Sequence, residues 1–165
     1  MKTVLKPWQF NLVTCCIYLL FAIFTMQALQ TLSTWPPAGV ALAAVTLFGR
    51  KAWLGVAAGS ILSVFYHFYL NNLDPFSFNH LVINLATSTG NTLAALCAFN
   101  IMYKQIVLHN PLKRVENVAG TFIFACAAMG MVSAIFGVGI YYVLGLEWFD
   151  GFFFGVLNWS ISNAL

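Results

Sequence analysis

An all-α integral membrane protein, a polytopic bundle of about six spans with a cytoplasmic N-terminus, is the fold class this sequence predicts. Three observations predict it. Of 165 residues, 61% are hydrophobic and 7% charged, against roughly 25% charged in an ordinary soluble domain. Mean hydropathy is +0.87. The apolar residues form long runs, and the charges sit between the runs with a bias of sign. Lys2, Lys6, Arg50, Lys51, Lys104, Lys113 and Arg114 fall on one side of the predicted bundle, while Asp74, Glu147 and Asp150 fall on the other. Glu116 is the one acid on the basic side. The positive-inside rule makes the basic side cytoplasmic. The cations come in ones and twos with no interleaved aromatic platform, which argues against a nucleic-acid surface.

The first predicted span runs from Trp8 to Leu32, too long for a signal-peptide core and without a small-residue cleavage site. The stretch Trp35 to Ser60 then reads as a membrane hairpin. Pro36-Pro37 open a helix whose first turn needs no amide donors, the apolar run Ala38 to Phe48 follows, and Gly49-Arg50-Lys51 turn the chain at a membrane surface. The second span, Trp35 to Phe48, has 14 residues and rises about 21 Å, against a hydrocarbon core of about 30 Å. Either the span extends back into Thr31 to Thr34, with Trp35 anchoring an interfacial turn, or it is a partial helix that starts inside the bundle and lines a cavity with Trp35 to Gly39. A third span covers Ala52 to Leu70, and a loop with Asp74-Pro75 leads to a fourth, Leu81 to Tyr103. The polar connector Lys104 to Asn117 precedes a fifth span, Val118 to Leu144, and a sixth begins near Gly151.

Three stretches carry a resemblance. WPPAGVALAA followed by GRKAWLG, then Gly90-Asn91-Thr92-Leu93 with Ala95-Leu96, then WSISNAL at Trp159 to Leu165, resemble in order and spacing the first class of membrane-associated sensor domains, MASE1. The resemblance implies an integral membrane input module that precedes a cytoplasmic histidine kinase or a cyclic-di-GMP synthase or hydrolase. It also implies that Leu165 falls inside a motif, so that the chain is expected to be a fragment truncated within its sixth span. Two positions depart from the family pattern. Ala94 stands where a glutamate is usual, and Asn163 where an aspartate is usual, so any cation or proton chemistry resting on those acids is lost here.

The polar residues inside the spans are the candidates for function. Asn84, Thr87, Ser88 and Asn91 recur at helical spacing on an apolar helix, with Thr92 alongside. Unsatisfied amides are costly in lipid, so this stripe is expected to face the bundle interior. Asn158, Ser160, Ser162 and Asn163 are its expected partners on the sixth span. The stripe is either interhelical glue or the wall of a ligand pocket. The pocket reading joins Trp35, Pro36 and Gly39 to Asn84, Ser88 and Asn91 and to Asn158, Trp159 and Asn163, with the tryptophans as flat walls and the amides orienting a neutral or anionic small molecule. Gly55-x-x-x-Gly59, Gly151-x-x-x-Gly155 and Gly120, Gly130, Gly137 and Gly139 permit close helix contact.

Nothing in the sequence points to catalysis, and no cofactor or metal is expected. There is no Ser/His/Asp arrangement, phosphate-binding loop or metalloprotease motif. Cys15, Cys16, Cys97 and Cys126 form no C-x-x-C pair and read as small buried apolar residues. His67, beside Tyr66 and Tyr69, and His80 lie near Asp74, but their spacing matches no familiar ligand pattern, and His109 lies in the connector. Two function classes lead, with a membrane scaffold that binds no ligand as a third. One is a sensory input domain in a bacterial inner membrane, partnered by the bilayer, a small ligand, a cytoplasmic output domain and, as an open option, a second copy. The other is a six-helix substrate-binding subunit of a small-solute uptake transporter.

Overall fold

Among the described residues the chain forms six α-helices. The computed structural model describes residues 6–28, 34–108, 115–146 and 151–164, and no strand occurs among them. In chain order the helices are α1 (Pro7–Ala28), α2 (Pro36–Phe48), α3 (Trp53–Leu70), α4 (Phe78–Leu108), α5 (Val115–Val143) and α6 (Phe152–Ala164), with a 3-10 turn, Gly49–Ala52, between α2 and α3. The expectations for Lys2, His109, Lys113, Arg114, Glu147, Asp150 and Leu165 fall outside the described residues. Four segments are long and apolar enough to cross a membrane: Pro7–Ala28, the run Pro36–Leu70, Phe78–Lys104 and Ala119–Val143. At 13 residues each, α2 and the described part of α6 rise about 20 Å, short of a crossing alone.

The helix boundaries have local causes. Pro7 occupies the first position of α1, and the Gln9 side chain reaches back to accept a hydrogen bond from the Lys6 amide at 2.8 Å, half of a capping box. Gly49 ends α2 at φ 72°, a backbone conformation that glycine adopts without steric cost. Before α4, Asp74 Oδ1 accepts the Phe76 amide at 3.0 Å in an Asx turn, and Ser77 Oγ caps the helix by accepting the His80 amide at 3.4 Å. Helices α4 and α5 run further into the connector than the polar composition of Lys104 to Asn117 predicts. Gln105 to Leu108 contain neither Gly nor Pro, so nothing stops α4 until past Leu108.

Cross-helix pairs fix the directions. Phe10 of α1 stacks on Phe48 of α2 with ring centroids 5.1 Å apart, and Trp35 reaches the Tyr18 hydroxyl, so α2 runs antiparallel to α1. Asn11 meets Gly55 and Gln27 meets Tyr66, so α3 runs parallel to α1. The chain therefore reverses at Gly49–Ala52, as a hairpin requires. The two arms of that hairpin scarcely touch, however: each packs on α1 and on α4 instead. Asn11 secures the turn by donating to the Lys51 carbonyl at 3.0 Å and accepting the Gly55 amide at 2.6 Å.

The interior is thin and rich in alanine. Ala38, Ala41, Ala44, Ala52, Ala94, Ala95, Ala98 and Ala125 surround Tyr18, Val45 and Val56, so backbones approach closely. The outer face carries large apolar side chains, among them Leu20, Phe24, Leu85, Ile123 and Leu157. That distribution suits a lipid solvent and is the reverse of a water-soluble surface.

Candidate functional site

Asn91 is the centre of a buried hydrogen-bond network in which five helices take part. Its amide nitrogen donates to Ser60 Oγ of α3 at 2.9 Å and to the Tyr18 hydroxyl of α1 at 3.4 Å. Its carbonyl oxygen accepts from Ser133 Oγ of α5 at 2.6 Å. The Ser133 oxygen in turn accepts from Trp159 Nε1 of α6 at 3.1 Å. The Trp35 side chain, directly before α2, joins at the Tyr18 hydroxyl. An asparagine amide offers two donors and an acceptor in one plane, and here both kinds of group are used. Tyr18, Ser60 and Ser133 are each at most 2% exposed, so every bond forms away from lipid and water.

The network also settles where α2 begins. Tyr18 lies 11 residues beyond Pro7, about 17 Å along α1, so Trp35 sits near mid-depth rather than at an interface. The Trp35 backbone amide donates to the Ser162 carbonyl of α6 at 2.8 Å. Of the two readings of the Trp35-Pro36-Pro37 start, the partial helix beginning inside the bundle is therefore the observed one. The Trp35 amide is thereby bonded within the protein, the condition under which lipid depth tolerates a helix start.

The other stripe residues are buried as expected but lie outside the Asn91 network, and the Thr87 hydroxyl has no partner among the described residues. Asn84 donates to the Ile61 carbonyl of α3 at 3.2 Å and accepts from Ser88 Oγ at 3.1 Å. Thr92 donates to the Ser88 carbonyl at 2.8 Å. Leu85 points outward, whereas Leu96 packs partly against the core.

The expected single pocket divides into two places. Trp159 joins the Asn91 network, while Trp35, Pro36, Gly39 and Asn163 line a separate groove of about 550 Å³ between α2, α4, α5 and the end of α6. Its other walls are apolar save Thr46, among them Leu42, Leu47, Met102, Phe122 and Met129. Asn163 donates to its own helix at the Trp159 carbonyl, 3.0 Å away. Asn158 is a correction: it is exposed, because the turn of α6 that buries Trp159 against α5 carries its neighbour outward. Ser160 packs its backbone on Gly130, and its hydroxyl has no hydrogen-bond partner among the described residues. Helix α6 thus meets the stripe through the Trp159 indole by way of Ser133, and not through the amides expected to do so.

Sequence reasoning missed Tyr18, Ser60, Ser133 and Asn11. The available signal was a lone polar group midway along an otherwise apolar run, which gives depth but no partner. Near the Asp74 end, the His80 ring lies 2.8 Å from Ser77 Oγ, with Nδ1 2.6 Å from the Asp74 carbonyl oxygen, and its centroid is 4.5 Å from that of Phe68. This histidine fastens a loop. No group of three or more His, Cys, Asp or Glu is placed to hold a metal among the described residues.

Searches of curated proteins and of solved structures find no match to the chain. A comparison with known protein families matches residues 9–165 to MASE1, the membrane-associated sensory domain of signalling proteins. The sequence motifs, the lipid-facing exterior and the match over essentially the whole length agree, and the chain belongs to the MASE1 family.

Proposed function

We propose that this chain is the sensory input domain of a bacterial inner-membrane signalling protein, with its basic end in the cytoplasm and its output through a histidine kinase or a cyclic-di-GMP enzyme. The observation that carries the reading, beyond family membership, is the Asn91 network. One amide is bonded to groups on α1, α3 and α5, and through Ser133 to α6. None of these five helices can shift along its bonded neighbour without breaking a bond at this point. Such a junction supports two discrete arrangements of the bundle separated by a few kcal/mol, and a stimulus shifts their balance through its different affinity for each. With no carboxylate among the described residues of the network or the groove, a neutral or anionic small molecule or a property of the bilayer fits better than a metal ion or a proton.

The test is made in the full-length signalling protein. Asn91→Leu removes the junction and should shift basal output and weaken the response, while membrane insertion is retained. Asn158→Leu, on the outer face, should leave both unchanged. If Asn91→Leu inserts normally and its output still tracks the native stimulus, the network is packing alone and the signalling role of the bundle lies elsewhere.

A further inference from the structure

The groove beside α2 carries an inference that does not depend on which output enzyme the domain serves. It follows α2 from Trp35 and Pro36 near mid-depth to Thr46 and Leu47. That is 12 residues, about 18 Å, and one leaflet of hydrocarbon is about 15 Å deep. The groove is thus as long as one leaflet is thick. Its walls are apolar from end to end save Thr46 and Asn163, and Thr46 spends its hydroxyl on the Leu42 carbonyl at 2.7 Å. A slot of this kind cannot orient a polar solute along its length.

The chemistry changes at the outer end. Arg50 and Lys51 follow Leu47 by three and four residues, and both are exposed. Arg50 Nη2 donates to Asn100 Oδ1 at 2.6 Å, which anchors the guanidinium to α4 at the same end of the bundle as the groove residue Met102. Four further guanidinium N–H donors remain. Lys51 is fixed through its carbonyl by Asn11. Asp74, the one carboxylate whose side chain is described, lies at the opposite end of the bundle. A leaflet-deep apolar slot with a guanidinium held at Asn100 and an exposed lysine at the same end of the bundle is complementary to an anionic amphiphile.

We infer that the groove between α2 and α5 holds one acyl chain of an anionic phospholipid from the leaflet at the basic end, with the phosphate at Arg50 and Lys51. Transfer of an acyl chain from bilayer to groove gains no hydrophobic free energy, because both environments are apolar. Selection therefore rests on the headgroup charge, and the groove decides where that lipid sits. About fivefold in preference is expected per cation.

The chain reconstituted in nanodiscs of phosphatidylcholine with phosphatidylglycerol tests this by native mass spectrometry. One phosphatidylglycerol per chain should survive release from the disc in preference to phosphatidylcholine. Ala43→Trp fills the groove from the exposed face of α2 and should abolish retention. Arg50→Gln should lower the preference about fivefold while Ala43 is untouched. Retention that ignores Ala43→Trp, or that favours neither headgroup, overturns the inference. So does a photo-crosslinker at Leu47 that captures polypeptide, either a second copy or sequence following Leu165 in a longer protein, in place of lipid. Signalling enters none of these readouts, so failure here leaves the sensory reading standing, and failure of that reading leaves this one.

Discussion

A single amide in the middle of a membrane bundle has to be bonded or neutralised by packing, and Asn91 is bonded three times, to Tyr18, Ser60 and Ser133. Interhelical hydrogen bonds in membrane proteins average about 0.6 kcal/mol each, so Asn91→Ala should lower stability by about 2 kcal/mol. Reversible unfolding in mixed micelles measures it. Asn158→Ala, on the exposed face, should change stability by less than about 0.5 kcal/mol. Equal losses at the two positions would remove the special role of the network. The Asn84, Ser88 and Asn91 stripe was legible in the sequence because helical spacing puts these residues on one face and lipid cannot accept them. Its partners were not legible, since Tyr18, Ser60 and Ser133 lie 73, 31 and 42 positions away and carry no periodic signal of their own.

Between elements, small residues set how closely the helices approach. The Gly55-x-x-x-Gly59 pair lies against α1 and not within the hairpin. A methyl group added at Gly55 would fall 2.5 Å from the Asn11 carbonyl oxygen, and one at Gly59 would fall 2.8 Å from Tyr18 Cβ. Gly55→Leu or Gly59→Leu should force α1 and α3 apart and cost about 1–3 kcal/mol, the usual range for overpacking, with loss of the Asn11 bridge visible as faster amide exchange at Gly55. At Gly39 an added methyl meets nothing within 4 Å, so Gly39→Ala should stabilise α2 by roughly 0.5–1 kcal/mol through helix propensity. A destabilised Gly39→Ala would mean that α2 is more tightly covered than the structure shows. On α5, Gly137 receives the Trp159 ring and Gly130 the Ser160 backbone, whereas a methyl group added at Gly120 or Gly139 meets nothing within 4 Å among the described residues. Four glycines that look alike in sequence therefore divide two and two.

For the whole molecule, the asymmetry of charge predicts orientation. In a background with Cys15, Cys16, Cys97 and Cys126 replaced by serine, Asp74→Cys should react with a membrane-impermeant maleimide in intact cells. Lys51→Cys should react only after permeabilisation. The reverse pattern would invert the topology and move the basic turn out of the cytoplasm. Exchange of Arg50 and Lys51 for glutamate should weaken or invert the orientation of the α2–α3 hairpin, since those two charges lie at its tightest turn. The same labels read that result.

Composition and charge placement by themselves determined that this chain forms a helical membrane bundle with Arg50 and Lys51 at the end opposite Asp74, and helical spacing determined which face of α4 is buried. The Pro36-Pro37 start and the short second helix showed that α2 is unusual, but left its depth open. Tertiary structure decided the depth, through Trp35 at Tyr18 and at the Ser162 carbonyl. It also decided that the two hairpin arms separate, that Trp159 and not Asn158 or Asn163 meets the stripe, and that the expected pocket is a polar junction and an apolar groove side by side. The physical reason is that a periodic pattern reports the face and height of a residue on its own helix. Helices in lipid gain no hydrophobic free energy by choosing one apolar neighbour over another, so close packing at Gly55, Gly59, Gly130 and Gly137 and the few interior hydrogen bonds select the neighbours.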